Sequence, residues 1–343
     1  MRALSSPLSI PLGAGQVLRV DRRTAYVSAG LVVAALLVAF AALCFGDGWN
    51  RPADVLDALR GAGPVRISVT EWRMPRVVAA LVFGAALGLA GAVFQNLTRN
   101  PLGSPDVIGL DAGAYTGVLL VFTLTTVTGP AITSAAVAGG LASALVVYLL
   151  STGTGFSGVR LVVIGIAVQA VLTAVNSWII LRAELDLAIA ASVWQAGSLN
   201  GLDWSDVDTP LVLIAVLVVL LALLARPLHQ LALGDDVATT SGTDVRRLRL
   251  LLVVVGVALS ATVTAMAGPI AFIALAAPQI GRRLARAAGV PLLPAALTGA
   301  FLLTASDLLA QWILAPQALP VGVVTTGVGG LYLLWLLTKE IRT

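Results

Sequence analysis

Asp307 sits in LLTASDLLAQW, inside a run of apolar residues long enough to cross a bilayer. A carboxylate near the centre of such a helix costs about 2.5–3.5 kcal/mol on insertion scales. It must therefore face a partner or water. Two chemistries are open to it: a proton or cation relay, or an interhelical contact that holds the fold. A lone acid favours the structural role, because relays are built from chains of such groups. Gln169 and Asn176 lie seven positions apart in another apolar run, so they share one helix face. Amides placed there can line a passage or join helices. The third chemically distinct stretch is Leu231 to Arg249, LALGDDVATTSGTDVRRLR, a polar island between two apolar runs. Asp235 and Asp236 suit a helix N-terminus, Gly242 suits the position after a helix end, and Thr243 can cap a second helix. The arginines Arg246, Arg247 and Arg249 are then expected at that second helix's C-terminal side. A loop between spans needs only a few residues. An island of about nineteen, compact and charged, predicts a docking surface for a soluble partner; an amphipathic loop held at the headgroups is the plainer alternative.

Other chemistry is excluded by what the sequence lacks. It has one cysteine, Cys44, and one histidine, His229, so it builds no internal disulfide and no cysteine or histidine metal cluster. Its one lysine, Lys339, follows no glycine-rich loop, so no P-loop for ATP exists. No nucleophile–base pair stands out, and the chain is not expected to be an enzyme.

These residues must be positioned by membrane helices. The chain is 58% hydrophobic and 11% charged, against about 45–50% apolar and 25% charged in soluble proteins. The expected fold is all-α: a basic N-terminal segment over 1–24, then one domain of about ten transmembrane helices over 25–340, with the island at 231–249. The spans are expected at 25–45, 72–97, 107–127, 130–150, 159–181, 210–225, 250–267, 270–281, 293–314 and 321–337. Glycines and alanines from Gly84 to Ala92 predict a close-packing face on the second. With the N-terminus inside, 15 of the 21 Lys and Arg residues fall in inner segments, as the positive-inside rule requires. The net charge of +4 follows from this placement and implies no nucleic-acid partner. Five of the six outer arginines, Arg51, Arg60, Arg66, Arg73 and Arg76, crowd between the first two spans.

Three stretches carry a resemblance. They are WRMPRVVAALVFGAALGLAGAVFQNLTRNPLGSPDVIGLDAGAYTG from Trp72, the island with its approach ALGDDVATTSGTDVRRLRLLL, and AGPIAFIALAAPQIGRRL followed by ASDLLAQ and LPVGVVTTGVGG. Together they resemble the FecCD family, the permease subunits of bacterial ABC importers for iron–siderophore complexes, haem and vitamin B12. VTEWRMPRV, RNPLGSPDV and GSLNGLDW are most similar to its ferric-enterobactin type.

The resemblance implies ten helices per subunit and a translocation path between two permease subunits, the second here a different FecCD chain. It also implies a separate ATPase dimer that binds ATP and Mg, and an extracytoplasmic binding protein. This chain would need no cofactor or metal of its own, because iron travels inside its siderophore. The location implied is the bacterial cytoplasmic membrane, with both termini cytoplasmic. Gly234, Asp235, Asp236, Gly242, Arg246 and Arg247 fall on the ATPase-contacting helices. Arg73 and Arg76 match arginines that face acidic residues of the binding protein. Phe156 and Ser157 fall near the cytoplasmic gate, and Gln169 and Asn176 on the path. Asp307 matches an acid read as structural. Two positions depart from the family pattern: Gln279, where histidine is common, and Gln311, where arginine is common. The alternatives are an ion-coupled secondary transporter using Asp307, and an importer of haem or vitamin B12.

Overall fold

The computed structural model describes residues 7–11, 17–46, 48–106, 109–124, 130–152 and 158–340. Ahead of the first helix, β1 (Pro7–Pro11) and β2 (Val17–Asp21) pair antiparallel. The rest is helical: α1 (Arg22–Cys44), α2 (Pro52–Leu59), a π-helical turn (Ser68–Arg73), α3 (Met74–Thr98), α4 (Leu110–Leu124), α5 (Pro130–Thr152), α6 (Gly158–Arg182), α7 (Leu185–Gln195), α8 (Trp204–Leu233), α9 (Asp235–Thr240), α10 (Val245–Ala267), α11 (Ile273–Ala285), α12 (Leu292–Ile313) and α13 (Val321–Glu340). Among the described residues, seven helices are long and apolar enough to cross a membrane, and α4 and α13 carry shorter apolar stretches. With α11, 13 residues long, they occupy the ten expected spans.

α3 is the axis of the fold. With the π turn ahead of it, Ser68–Thr98 forms a helix of 31 residues, about 46 Å at 1.5 Å per residue. That exceeds a hydrocarbon core of about 30 Å, so its ends reach past the apolar layer. Most of its residues are buried, and its small residues explain how. Gly84 and Gly88 lie against the backbone of Gly299 and Ala295 in α12, and Gly91 against Ala274 in α11, with no room for a Cβ. In lipid, where apolar burial gives no drive, such close backbone approach is a main source of helix association. Gly113 and Gly117 of α4 pack the same way on Gly139 and Ala135 of α5. The molecule thus has two glycine-welded groups, α3–α11–α12 and α4–α5.

α6 is packed far less. Only Leu161, Gly165 and Asn176 are buried on it, while Val163, Ile166, Val171 and Val175 are exposed. The irregular segment after α10 begins at Gly268, whose φ of 69° and contact with the Trp194 carbonyl both exclude a side chain. Asp203 caps α8 through a capping box with Asp206. The Ser205 hydroxyl and the Asp206 N–H hold its carboxyl below the usual carboxylate range.

The boundaries around the island differ from expectation. α8 continues through Pro227 to Leu233, where the sequence suggested an end near Ala225. Proline removes one ladder bond and bends a helix without ending it when neighbours hold both sides. As a result the island holds one short helix of its own, α9. Its expected second helix is the start of α10, capped by Asp244 instead of Thr243. Arg246, Arg247 and Arg249 therefore sit at a helix N-terminus, not the expected C-terminus. Cations are disfavoured there. Asp244 offsets this by accepting from the Arg246 and Arg247 N–H groups and pairing with the Arg247 side chain at 3.1 Å.

Candidate functional site

Polar side chains gather at three places: the N-terminal end of α3, called outer after the orientation expected from the sequence, its C-terminal end with the island, called inner on the same expectation, and a cavity beside α4.

At the outer end, Arg76 reaches across to α12. Its Nε and Nη2 each donate to Asp307 at 2.8 Å, a bidentate pair. Gln311, one helical turn beyond Asp307, donates to the same carboxylate at 2.9 Å. The Asp307 side chain is 1% exposed and that of Arg76 14%. The acid is thus neutralised and bonded where it stands. Gln311 adds a neutral donor to the carboxylate and not a second charge. Arg73 turns the other way. Its Nη1 donates to the Leu43 carbonyl at 3.0 Å, and the Asn50 amide oxygen, oriented towards it, accepts at 2.6 and 3.0 Å. Both arginines that the sequence placed on an outer docking face are thus engaged within the chain.

At the inner end, α3 closes on Arg99, held in the left-handed conformation at φ 49°. Asp235, the first residue of α9, accepts from Arg249 Nη2 at 2.7 and 2.8 Å and from Arg99 Nη2 at 3.0 Å. One carboxylate therefore ties the island to both α3 and α10. Thr243 fastens its far side, donating to Gln230 at 2.9 Å. Gly234 and Gly242 supply the turns, at φ 131° and 83°. Asp236, Arg246 and Arg247 point outward and are exposed.

The cavity, about 500 Å³, lies between α4, α6, α7 and α13. Gln169, Thr173, Asn176 and Ser177 line it from α6, Asp111 and Tyr115 from α4, Gln195 from α7 and Thr326 from α13. The seven-residue spacing of Gln169 and Asn176 does place both on one wall. Their roles differ: Asn176 is buried, donates to the Ala112 carbonyl at 3.1 Å and accepts from Thr116 at 2.7 Å, which joins α6 to α4. Asp111 and Tyr115 escaped the sequence reading. Asp111 accepts from Thr264 of α10 at 3.1 Å, and Tyr115 stacks on Trp194 with ring centroids 6.0 Å apart. The signal was present in GLDAGAYTG, where Asp111 and Tyr115 are four apart and share a face. No arginine or lysine lines this cavity. Its hydroxyls, amides and single carboxylate can bond a polar solute but hold no nucleophile beside a base. Phe156 and Ser157 lie outside the described residues.

A membrane-spanning helical chain with a polar cavity, an exposed flank on α6 and a charged island fits a transport subunit, and comparison with known proteins decides which. The model of the FecCD transport family matches residues 33–339. The chain belongs to the FecCD transport family. It is 46% identical over 326 residues to the ferric enterobactin transport system permease protein FepG of Escherichia coli, covering 92% of this chain and 99% of that one. It is 32% identical to the iron(3+)-hydroxamate import system permease protein FhuG of Bacillus subtilis, over 89% of this chain and 94% of that one. Identity to the cobalamin import system permease protein BtuC of Halobacterium salinarum is 34%, over 100% and 89%. The fold also matches a solved metal-chelate type ABC transporter in an inward-facing conformation, with TM-score 0.81, 24% identity, and coverage of 92% and 99%. As a FecCD chain this is a multi-pass permease component of an ABC importer in the inner membrane, and it is not an enzyme.

Proposed function

We propose that this permease moves a ferric siderophore of the catecholate class across the cytoplasmic membrane, driven by ATP hydrolysed in a separate ATPase dimer. The full-length 46% identity to the ferric enterobactin permease carries this reading. A second, different FecCD chain would cover the exposed flank of α6 and complete the path of which the cavity by α4 is one wall. A binding protein would deliver cargo at the outer face, with iron remaining inside its chelate. Both termini, and the island, would face the cytoplasm. Gly234, Asp235, Asp236, Gly242, Arg246 and Arg247 form the ATPase-coupling unit in this reading. Asp236, Arg246 and Arg247 present charge to the partner, while Asp235 anchors the island and the two glycines shape it. Arg73 and Arg76 can dock an acidic partner only by sharing guanidinium groups already held by Leu43, Asn50 and Asp307. Phe156 and Ser157 stay proposed gate residues.

The test is uptake by cells lacking this chain and complemented with it, using radio-iron in catecholate, hydroxamate and citrate chelates, and labelled cobalamin. Restored uptake of the catecholate alone is expected. Restoration of hydroxamate or cobalamin uptake instead would sink the assignment. The relay reading of Asp307 predicts uptake that collapses with a protonophore at constant ATP. The bidentate pair with Arg76 argues for a structural acid instead.

A further inference from the structure

A second cavity, about 760 Å³, opens at the inner ends of α3 and α11, and the translocation reading makes no use of it. Four arginines line it: Arg99, Arg282, Arg283 and Arg286. No acidic residue does. Three of the four neutral amides around it donate to the protein itself: Gln95 to the Leu275 carbonyl, Asn96 to that of Val290, and Gln279 to that of Pro101. The charged donors on its wall are guanidinium groups, with the Asn100 amide beside them. Among the described residues, neither Arg282 nor Arg286 has a carboxylate within ion-pair reach.

The backbone adds a second, independent observation. Arg99 ends α3 at φ 49° and Arg286 ends α11 at φ 52°. Left-handed positions after a helix belong by default to glycine or asparagine, since any larger residue is strained there. Only three described residues other than glycine have positive φ, and two of them are these arginines on one cavity wall. Favourable placement of cations at a helix C-terminus accounts for Arg282 and Arg283 in the last turn of α11. It does not account for arginine at two strained caps that converge on one space. Strain kept at a position argues that its side chain is used.

We propose that this cavity binds a phosphate-bearing anion, either the headgroup of an acidic phospholipid of the inner leaflet or free phosphate. The planar fork of arginine matches phosphate oxygens, and basic pockets between helices on the cytoplasmic side bind acidic headgroups. Arg99 would be shared, with Asp235 of the island on one side and the anion on the other, so occupancy of the cavity would bear on the island's anchor.

The test is thermal unfolding of the purified full-length chain in neutral detergent, titrated with short-chain phosphatidylglycerol, short-chain phosphatidylcholine, inorganic phosphate, or chloride at matched ionic strength. A saturable rise in Tm with phosphatidylglycerol, and none with phosphatidylcholine or chloride, is expected. An equal rise with inorganic phosphate would assign the site to the free anion. The R282Q/R286G double variant should bind about thirtyfold more weakly, the effect of two cations removed from an anionic headgroup. Its ligand-free Tm should not fall on account of the cap, because glycine accepts the backbone that Arg286 strains. A Tm indifferent to phosphatidylglycerol and phosphate, or a shift that survives in the double variant, would overturn the proposal.

Discussion

The two ends of α3 are tied by the same chemistry, arginine to aspartate, in opposite surroundings. At the outer end Arg76 and Asp307 meet with 14% and 1% of their side chains exposed. At the inner end Arg99 and Asp235 meet with 55% and 45% exposed, and Arg249 joins them. The outer pair joins two helices already welded through Gly84, Gly88, Ala295 and Gly299. The inner pair joins α3 to α9, the six-residue helix of the island, which otherwise packs mainly on its neighbours α8 and α10. A desolvated, bidentate pair has one good geometry, whereas water can replace the partners of an exposed one. If the island couples to the ATPase as proposed, the comparison teaches a division of labour: the outer clamp would fix α3, and the inner clamp would let the island move while staying attached.

The largest effect is expected at the outer clamp. Arg76→Ala strands a buried carboxylate and should cost about 3–5 kcal/mol, read as a sharp fall in Tm and in folded yield from membranes. Replacing the whole pair, Arg76→Met with Asp307→Leu, should recover most of that loss, because no buried charge remains. If the single variant were as stable as the parent, the outer clamp would be no more a fixture than the inner one. The same clamp changes how outer docking must be probed. Charge reversal at Arg76 sets two carboxylates together and damages the fold, so an uptake defect there does not isolate a binding-protein contact.

At the inner clamp the order of effects should invert, with coupling lost before stability. Asp235→Asn removes the charge that both arginines share. The exposed Arg99 pair contributes about 0.2–1 kcal/mol, and the Asp235 carboxylate stays 45% exposed even where it meets the 16% exposed Arg249, so Tm should fall by less than in Arg76→Ala. In the reconstituted transporter, however, ATPase activity should lose its dependence on the loaded binding protein. Asp236→Asn is the comparison, since Asp236 is exposed, its carboxylate has no bond within the island, and it would act only through charge presented to the partner. A drop in coupling equal to that of Asp235→Asn would show that surface charge, not anchoring, matters. Salt sharpens the contrast further. At 1 M the Debye length is about 3 Å, so high salt should weaken coupling in the parent and change little in Asp235→Asn.

How much of this was legible in the sequence differs between the same two regions. The spans could be read because apolar runs bounded by charge leave few choices, and the small residues from Gly84 to Ala92 foretold a close-packing face on α3, though not its partner α12. Asp307 was legible as a buried acid, but its partner was not. Arg76 is 231 residues away, and a sequence without structure cannot say which arginine crosses to it. The docking expectation for Arg76 came from family likeness and from its position outside the first spans; neither carries information about an internal partner. Asp235 was legible as a helix N-terminal residue. Its second duty, gripping Arg99 and Arg249, depends on α8 running on past Pro227 to deliver α9 beneath α3. The end of α8 was misplaced because Arg226-Pro227-Leu-His229 reads as a boundary, while tertiary contacts at Leu228 and Leu231 keep the helix going. Asp111 was passed over because it lies in the first turn of α4, where an acid is unremarkable on dipole grounds. Only the folded chain turns it towards a cavity.

The smallest expected change in stability tests the division of labour most closely. Arg99→Gly removes one of the three members of the inner clamp. It gives up an exposed ion pair, about 0.2–1 kcal/mol. It also relieves a left-handed backbone that glycine adopts freely, a gain of order 1 kcal/mol. The two terms nearly cancel, so Tm should stay within a degree or two of the parent or rise slightly. Coupling should nevertheless fall, because Asp235 is then held by Arg249 alone and the island is attached to α10 but not to α3. Asp235→Asn removes both links, so its loss of coupling should be greater. A variant that is stable and fully coupled would mean that α10 alone carries the island's motion, and α3 would then be a fixed post at both ends.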